Sequence, residues 1–245
     1  MRIAVVSDIH GNRTAFEAVL ADLRLTAPDL ILHGGDLADS GSSPVEVVDR
    51  IRDLSWQGVL GNTDEMLFEP GVLAEFSGRA SEQLKPMFAA IEEMAAATRV
   101  ALGEERLAWL RGQPLVQKHG PLALVHGTPE SPWRAPEPAA SDAELEAAYA
   151  PLGRPSAVYG HIHRSFVRRV PRESGEELIV VNTGSVSLSY DGDPRAAYLL
   201  LDGLEPTIRR VEYALDAELK ALTASGLPHA EWVARMLISA RFEMP

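Results

Sequence analysis

Five short apolar stretches of this chain end in side chains of the types that bind metal ions, and a glycine stands beside each group. The carboxylates, imidazoles and amide concerned are Asp8, His10, Asp36, Asn62, His126, His161 and His163. Nitrogen and oxygen donors without sulfur suit Mn²⁺, Fe, Co²⁺, Ni²⁺ or Zn²⁺. Glycine lets the backbone turn sharply and approach a ligand closely. The set therefore points to a metal site that is built from loops.

Each of these motifs is weak evidence when it is taken alone. An Asp-x-His at a strand end is more often a helix cap beside a surface histidine, and a single His-x-His pair is more often structural than metal-binding. Five such junctions in one chain are hard to attribute to chance. One carboxylate between two ions, with imidazoles and oxygen donors around it, is the arrangement of dinuclear hydrolases. We therefore predict that the protein binds two divalent metal ions, and Mn²⁺ is the favoured metal.

Apolar runs that alternate with helical patterns predict an α/β chain. The predicted strands cover 3–6, 29–32, 56–60, 115–118, 122–125, 157–159, 166–170, 178–181, 196–201 and 207–213. Right-handed crossovers would make the first three parallel and bring their ends to one edge, where ligands bind in α/β sheets. The later strands fit a second, largely antiparallel half. If the backbone is extended at Asp8 and His10, both side chains leave the same face and can hold one ion.

Helical periodicity places the remaining elements. Asn12 is expected to cap the first helix, and Ser43 and Glu46 are expected to form a capping box at the second. Residues 65–112 are predicted to be a helical insertion over or beside the site, with plain packing favoured over a lid. Residues 214–245 are predicted to be a helical tail. We expect a single domain over 1–245.

Composition limits the classes of function. The chain has 245 residues, 46% hydrophobic and 24% charged, which is typical of a soluble globular protein. Its formal charge of −12 disfavours long nucleic acid as a partner, because that needs a basic surface. The absence of cysteine excludes disulfides and a cysteine nucleophile. Neither a signal peptide nor a membrane-spanning stretch is recognisable, so a cytoplasmic location is expected. The sequence does not indicate an oligomeric state.

The five motifs D-x-H, G-D, G-N, H-G and G-H-x-H occur in the order and spacing of a known family, over residues 1 to about 202. The chain thus resembles the calcineurin-like metallophosphoesterase superfamily. The run D-I-H-G-N and the later Asn182-Thr183-Gly184-Ser185 look most like its small bacterial and archaeal phosphodiesterases. The resemblance implies a four-layer α/β/β/α sandwich with the site at the strand ends.

The resemblance also implies roles for the seven side chains. Asp8, His10 and His163 would hold one ion. Asn62, His126 and His161 would hold the other, and Asp36 would bridge the two. A hydroxide shared by the ions would attack phosphorus in line while the ions offset the charge of the phosphoryl oxygens. Asn62, Asp36 and His126 are the expected catalytic residues, and the Asn62 amide would also orient the phosphate.

One position departs from the family pattern. Many members carry a histidine after the Gly-Asn pair, thought to protonate the leaving group, whereas this chain has Thr63. A threonine hydroxyl is no general acid near pH 7, and loss of such an acid typically costs about 10²–10⁴-fold. Poor leaving groups should be slow unless Asp64, His33, His119 or a metal-bound water substitutes.

Three functions stay open from the sequence. A metal-dependent phosphodiesterase acting on a small phosphorylated substrate is favoured. A phosphomonoesterase or dinucleoside-polyphosphate hydrolase on the same scaffold is the first alternative. A non-catalytic scaffold that keeps the fold is the second, and the complete ligand set speaks against it.

Overall fold

The fold, given by a computed structural model that describes residues 1–172 and 175–245, consists of β-strands and α-helices in alternation. The strands are β1 (Arg2–Val6), β2 (Leu30–His33), β3 (Gln57–Gly58), β4 (Val116–His119), β5 (Leu122–Val125), β6 (Ser156–Tyr159), β7 (Phe166–Pro171), β8 (Glu177–Asn182), β9 (Ala196–Asp202) and β10 (Glu205–Val211). The helices are α1 (Arg13–Thr26), α2 (Pro44–Asp53), α3 (Asn62–Phe68), α4 (Pro70–Arg79), α5 (Lys85–Arg111), α6 (Asp142–Tyr149), α7 (Leu215–Ala224) and α8 (Ala230–Ser239).

The strands form two mixed sheets. The first has the order β10-β9-β1-β2-β3, in which β1, β2 and β3 are parallel and β9 is antiparallel to β1. The second has the order β4-β5-β6-β8-β7, in which β5, β6 and β8 are parallel. The later strands pair antiparallel as expected, β7 with β8 and β9 with β10, but they are divided between the two sheets, and β8 is also parallel to β6. Alternation of apolar residues shows which faces are buried, but it does not fix the direction of a neighbouring strand.

Alternate residues of the strands divide the core into layers. Ile3 and Val5 of β1 point between the two sheets and pack with Leu124 and Val181 of the second sheet. Ala4 and Val6, on the other face of β1, point outward against α1 and α2. On the far side, α6 packs on the outer face of the second sheet. The predicted four-layer α/β/β/α sandwich is confirmed.

Two local predictions at the edge of the first sheet are wrong. The third strand is only two residues long, because the Leu60 N–H leaves the sheet and donates to the Pro114 carbonyl. Ser43 precedes α2, but its side chain makes no capping hydrogen bond, so no capping box forms there. The predicted cap of α1 is confirmed, since the Asn12 side chain accepts from the Ala15 N–H.

Helices α3, α4 and α5 occupy the stretch predicted to be helical, and Pro86 starts α5 instead of breaking it. Gly103 interrupts α5 with a non-helical backbone, so this element is two helices joined at a kink. Helix α8 packs against the first part of α5 through Trp232, Met236 and Met94. The single-domain boundary 1–245 stays a prediction. In the described ranges, every helix is too short or too polar to cross a bilayer.

Candidate metal centre

The structure brings all seven predicted ligands together at the carboxyl ends of β1, β2, β3, β5 and β6. Strand direction explains this, because these strands are parallel within each sheet and present their ends at one edge. The shared aspartate, Asp36, has its Oδ2 atom 3.3 Å from His126 Nε2 and 3.7 Å from His10 Nε2. Asp36 is thus placed between the two sets of ligands that the motifs predict.

The backbone at this edge is left-handed instead of extended. Asp8 and His10 have φ of 57° and 48°, so the expectation that an extended chain aligns them is wrong. Asp36, His161 and His163 also have positive φ. Non-glycine residues in this region cost about 1–3 kcal/mol each and concentrate at functional sites. Hydrogen bonds from the Asp8 and His10 N–H groups to the Gly35 and Asp36 carbonyls hold the first two loops together.

The first ligand set consists of Asp8, His10, Asp36 and His163, whose ligand atoms all lie within 4.8 Å of one another. All four are buried, and the most exposed, His163, is 5% accessible. Each histidine of the set is oriented through Nδ1, which donates to the Asp39 carbonyl from His10 and to the Leu188 carbonyl from His163. With Nδ1 bound to a carbonyl, each ring turns its Nε2 toward the other ligands of the set.

These hydrogen bonds leave the first set in need of a cation. The two Nε2 atoms of His10 and His163 face each other at 3.2 Å, and His163 Nε2 also lies 3.1 Å from Asp8 Oδ1. Such contacts between nitrogen and oxygen atoms are favourable only when a proton or a metal cation lies between them. The donor set therefore fits a divalent metal ion.

The second set joins Asp36 to Asn62, His126 and His161. His126 Nδ1 donates to the Gly34 carbonyl at 2.7 Å, which turns His126 Nε2 toward Asn62 Oδ1 at 3.0 Å. His161 Nδ1 lies 2.8 Å from the same amide oxygen. Three kinds of acceptor therefore converge here as well, and the set fits a second cation. Asn62 and His161 are half-buried, so this set is the more open one.

Two glycines allow the loops to approach the carboxylates. A Cβ atom at Gly61 would lie 2.1 Å from Asp36 Oδ1, and one at Gly160 would lie 2.3 Å from Asp8 Oδ2. No side chain fits at such a distance, so the glycines of the G-N and G-H-x-H motifs are required sterically.

Electrostatics keep both carboxylates ionised in spite of their burial. Burial would raise the pKa of Asp36, but His126 and then His10 outweigh it and hold this pKa well below its usual range. Burial likewise opposes the ionised Asp8, and the neighbouring His163 lowers the pKa of Asp8 below its usual value.

The pKa values of the ligand histidines shift in opposite directions. Burial disfavours the charged form of His126, yet the Asp36 carboxylate raises the pKa of His126 to about 9. Burial, with the charge of His126, lowers the pKa of His161 to about 4. Burial also lowers the pKa of His10. Without metal, a proton on His126 therefore supplies the positive charge that the centre requires.

A cavity of about 160 Å³ opens beside the two sets. His10, Asp36, Asn62, His161 and His163 all contribute to its wall, as does Thr63.

The alternative proton donors lie elsewhere. Asp64 is buried, and its Oδ1 accepts from the Leu37 N–H. His33 is buried against Trp109, and His119 is at the opposite end of the second sheet, where it pairs with Leu122. Sequence reasoning thus proposed three side chains, none of which is among the described residues that line the cavity.

Sequence reasoning also missed the groups that surround the ligands. The Asp39 and Leu188 carbonyls orient two imidazoles, and Tyr190 stacks on His163 with ring centres 4.7 Å apart. Asp39 is buried, and its side chain accepts a hydrogen bond from the Thr98 hydroxyl of α5. In the sequence, its closeness to Asp36 was the one indication of a role. Tyr190 had no local signal.

Comparisons with known proteins identify the family and the fold. The sequence profile of the calcineurin-like phosphoesterase superfamily domain matches residues 1–204. An uncharacterized protein of Methanocaldococcus jannaschii is 30% identical over 260 residues, covering 98% of each chain. A metallophosphoesterase structure from Sphaerobacter thermophilus superposes with a TM-score of 0.78 at 26% identity, over 98% of this chain and 100% of that one. The symmetrical bis(5'-nucleosyl)-tetraphosphatase of Methylococcus capsulatus is 34% identical over 149 residues, 60% of this chain and 50% of the relative.

Proposed function

The chain belongs to the calcineurin-like phosphoesterase superfamily, and we propose that it is a phosphodiesterase that uses two divalent metal ions. The observation that carries the proposal is the convergence of imidazoles and ionised carboxylates on two positions that share Asp36. Without a positive charge, supplied by a bound cation or by a proton on His126, this arrangement would be repulsive. A non-catalytic scaffold would have no need of it.

The ligands divide between the ions as the motifs indicate. Asp8, His10 and His163 would hold the first ion, Asn62, His126 and His161 the second, and Asp36 both. Mn²⁺ is the favoured metal, and Fe, Co²⁺, Ni²⁺ and Zn²⁺ suit the same donors. When bound, such ions supply Lewis acidity and a nucleophile derived from water near neutral pH.

The remaining tasks fall to the protein. Asp36 fixes the separation of the two sets, and it is itself held by the Thr63 N–H, which donates to its Oδ1 at 2.9 Å. Asn62 lines the cavity, where its amide N–H group can donate to a phosphoryl oxygen. His126 is fixed by the Gly34 carbonyl and orients Asn62 in turn.

The presence of Thr63, where many family members have a histidine, favours diesters with good leaving groups as substrates. Its hydroxyl cannot deliver a proton near pH 7, and Asp64, His33 and His119 lie outside the cavity wall. A leaving group that departs as a stable anion needs no proton. We therefore expect p-nitrophenyl diesters to be hydrolysed at least about 10²-fold faster than dialkyl phosphates.

The decisive experiment loads protein purified without chelator with Mn²⁺ and counts the bound metal. Rates are then compared on bis-p-nitrophenyl phosphate, p-nitrophenyl phosphate and a dialkyl phosphate. Two ions per chain and a preference for the aryl diester are expected. A protein that holds two ions but hydrolyses none of these esters would refute the enzymatic proposal. Equal rates on aryl and alkyl diesters would show that a proton donor exists in the cavity.

Hydrolysis of dinucleoside polyphosphates is the second candidate. It rests on the 34% identity to a bis(5'-nucleosyl)-tetraphosphatase, which spans half of that relative. Diadenosine tetraphosphate therefore belongs in the substrate panel.

A further inference from the structure

The cavity beside the metal ligands has two different walls. One is the polar wall made by the ligands. The other is apolar and comes from three separate parts of the chain: Ile91 and Met94 of α5, Leu188 after β8, and Trp232, Met236 and Phe242 near the C-terminus. The last three lie beyond residue 204, where the match to the family profile ends. The C-terminal segment therefore adds an aromatic and thioether surface to the family's site.

Contacts hold this C-terminal wall against the centre. Tyr190 stacks on the ligand His163, and Phe242 packs edge-on against Tyr190 with ring centres 5.6 Å apart. The Tyr190 hydroxyl lies 3.8 Å from the sulfur of Met236. Trp232 Nε1 donates to the Glu243 carbonyl at 2.7 Å, which fixes the tail beside α8. The wall is thus preformed.

The charge of the cavity selects among phosphate esters. Among the described residues, no lysine or arginine lines this cavity, whereas Asp36 and Asp39 do. The centre is then the sole source of positive charge for a bound anion. A chain of several phosphates would place its additional negative charges against an apolar wall, where burial of an unpaired charge is costly.

The size of the cavity sets a further limit. Its volume of about 160 Å³ is close to the roughly 150 Å³ of an engineered apolar cavity that binds benzene. Pockets for drug-sized ligands are larger, about 300–1,000 Å³. One ring-sized apolar group therefore fits inside the cavity.

We propose that Trp232, Met236 and Phe242 bind one flat apolar substituent of the substrate, which is a small phosphodiester carrying an aryl or similar ring-sized group. This inference rests on the proposed phosphodiesterase function and names its substrate class. It disfavours dinucleoside polyphosphates, in spite of the relative that hydrolyses them.

Phe242 is the residue through which to test the wall, because 46% of it is exposed and its loss should not unfold the protein. The metal-loaded protein is titrated calorimetrically with phenylphosphonate and with methylphosphonate, neither of which can be hydrolysed at its P–C bond. Phenylphosphonate should bind at least about tenfold more tightly. In Phe242→Ala this preference should fall to about threefold or less, with methylphosphonate affinity and metal content unchanged. KM for bis-p-nitrophenyl phosphate should rise accordingly.

Ile238→Ala is the matched control, since Ile238 is 59% exposed near the end of α8, four residues before Phe242, and does not line the cavity. It should retain the full preference for phenylphosphonate. Equal affinities of the unmodified protein for the two phosphonates would overturn the inference. So would a higher kcat/KM for diadenosine tetraphosphate than for bis-p-nitrophenyl phosphate. A phenyl preference in a protein that hydrolyses no ester would instead refute the phosphodiesterase function alone.

Discussion

The two proposed ligand sets share one aspartate but differ in burial and in rigidity. In the first set, His10 and His163 are each held by a backbone carbonyl, and all four members are buried. In the second, Asn62 and His161 are half-buried, and no backbone carbonyl among the described residues is seen to hold either side chain. A preformed and dehydrated set loses less entropy when it binds an ion. The first position should therefore bind metal more tightly, and the second, which faces the cavity, should exchange it.

The largest expected effect comes from removing the residue that the two sets have in common. Asp36→Asn keeps the shape of the side chain but loses the charge that both ions require. Several kcal/mol of transition-state stabilisation depend on the ions, so kcat should fall by at least about 10³-fold. Metal content should drop from two ions to one or none, measured by elemental analysis after gel filtration.

Asp29→Asn is the control for Asp36→Asn, since the Asp29 carboxylate accepts from the Arg2 N–H at the opposite end of β1, away from both ligand sets. It should retain two ions and full activity. An Asp36→Asn variant that kept both ions would show that the two sets are independent of each other.

Replacing one histidine from each set tests the asymmetry directly. His163→Ala removes a buried ligand of the first set, and His161→Ala removes a half-buried ligand of the second. We expect His163→Ala to lose the tightly held ion, whereas His161→Ala keeps it and loses only the exchangeable one. Titration of each metal-free variant with Mn²⁺ by calorimetry gives the number and the affinity of the remaining sites. If both variants retain the same single affinity, the proposed difference between the sets is wrong.

The pH dependence of metal uptake should also differ between the sets. The Asp36 carboxylate raises the pKa of His126 to about 9 in the metal-free protein, so His126 must release a proton before it can bind an ion. Affinity at the second position should therefore rise with pH, about tenfold per unit, and level off near pH 9. Burial lowers the pKa of His10, so this ligand of the first set is already neutral at pH 7.

Calorimetry in buffers of different ionisation enthalpy measures this proton release. Uptake of the second ion at pH 7.5 should release about one proton. The variant His126→Gln has no imidazole at this position, so the proton release that accompanies uptake of the second ion should disappear. Release of the same number of protons from this variant would assign the titration to another group.

The sequence predicted the ligands better than their surroundings, for a physical reason. Each ligand lies within four residues of the end of a strand, so a local rule about strand ends found Asp8, Asp36 and His126. The left-handed backbone at Asp8 depends on hydrogen bonds to the next loop, which no local pattern encodes. The cavity wall joins Tyr190 to Phe242, and this contact arises only when α8 packs on α5. Long-range packing thus determined what sequence reasoning missed.

The smallest expected effect is the contribution of His33 to the pH dependence of stability. His33 is as buried as the ligand histidines, but it faces no carboxylate among the described residues. Burial lowers the pKa of His33 to about 4, and the Gln113 side chain offsets only part of this. Below pH 6.5 the unfolded chain therefore takes up a proton that the native state refuses. Stability should fall between pH 6.5 and 4 by up to about 3 kcal/mol from this group.

Urea unfolding of the metal-free protein at pH 7.5 and 5 measures that loss. His33→Leu and His33→Phe differ in size, so their stabilities at pH 7.5 report packing against Trp109 and Gly58. Both variants lack the titrating group, so both should lose less stability than the unmodified protein on going to pH 5. If the unmodified protein and the two variants lose the same amount, acid sensitivity arises at the metal ligands. The contrast between a buried histidine that faces a carboxylate and one that does not would then have no effect on acid stability.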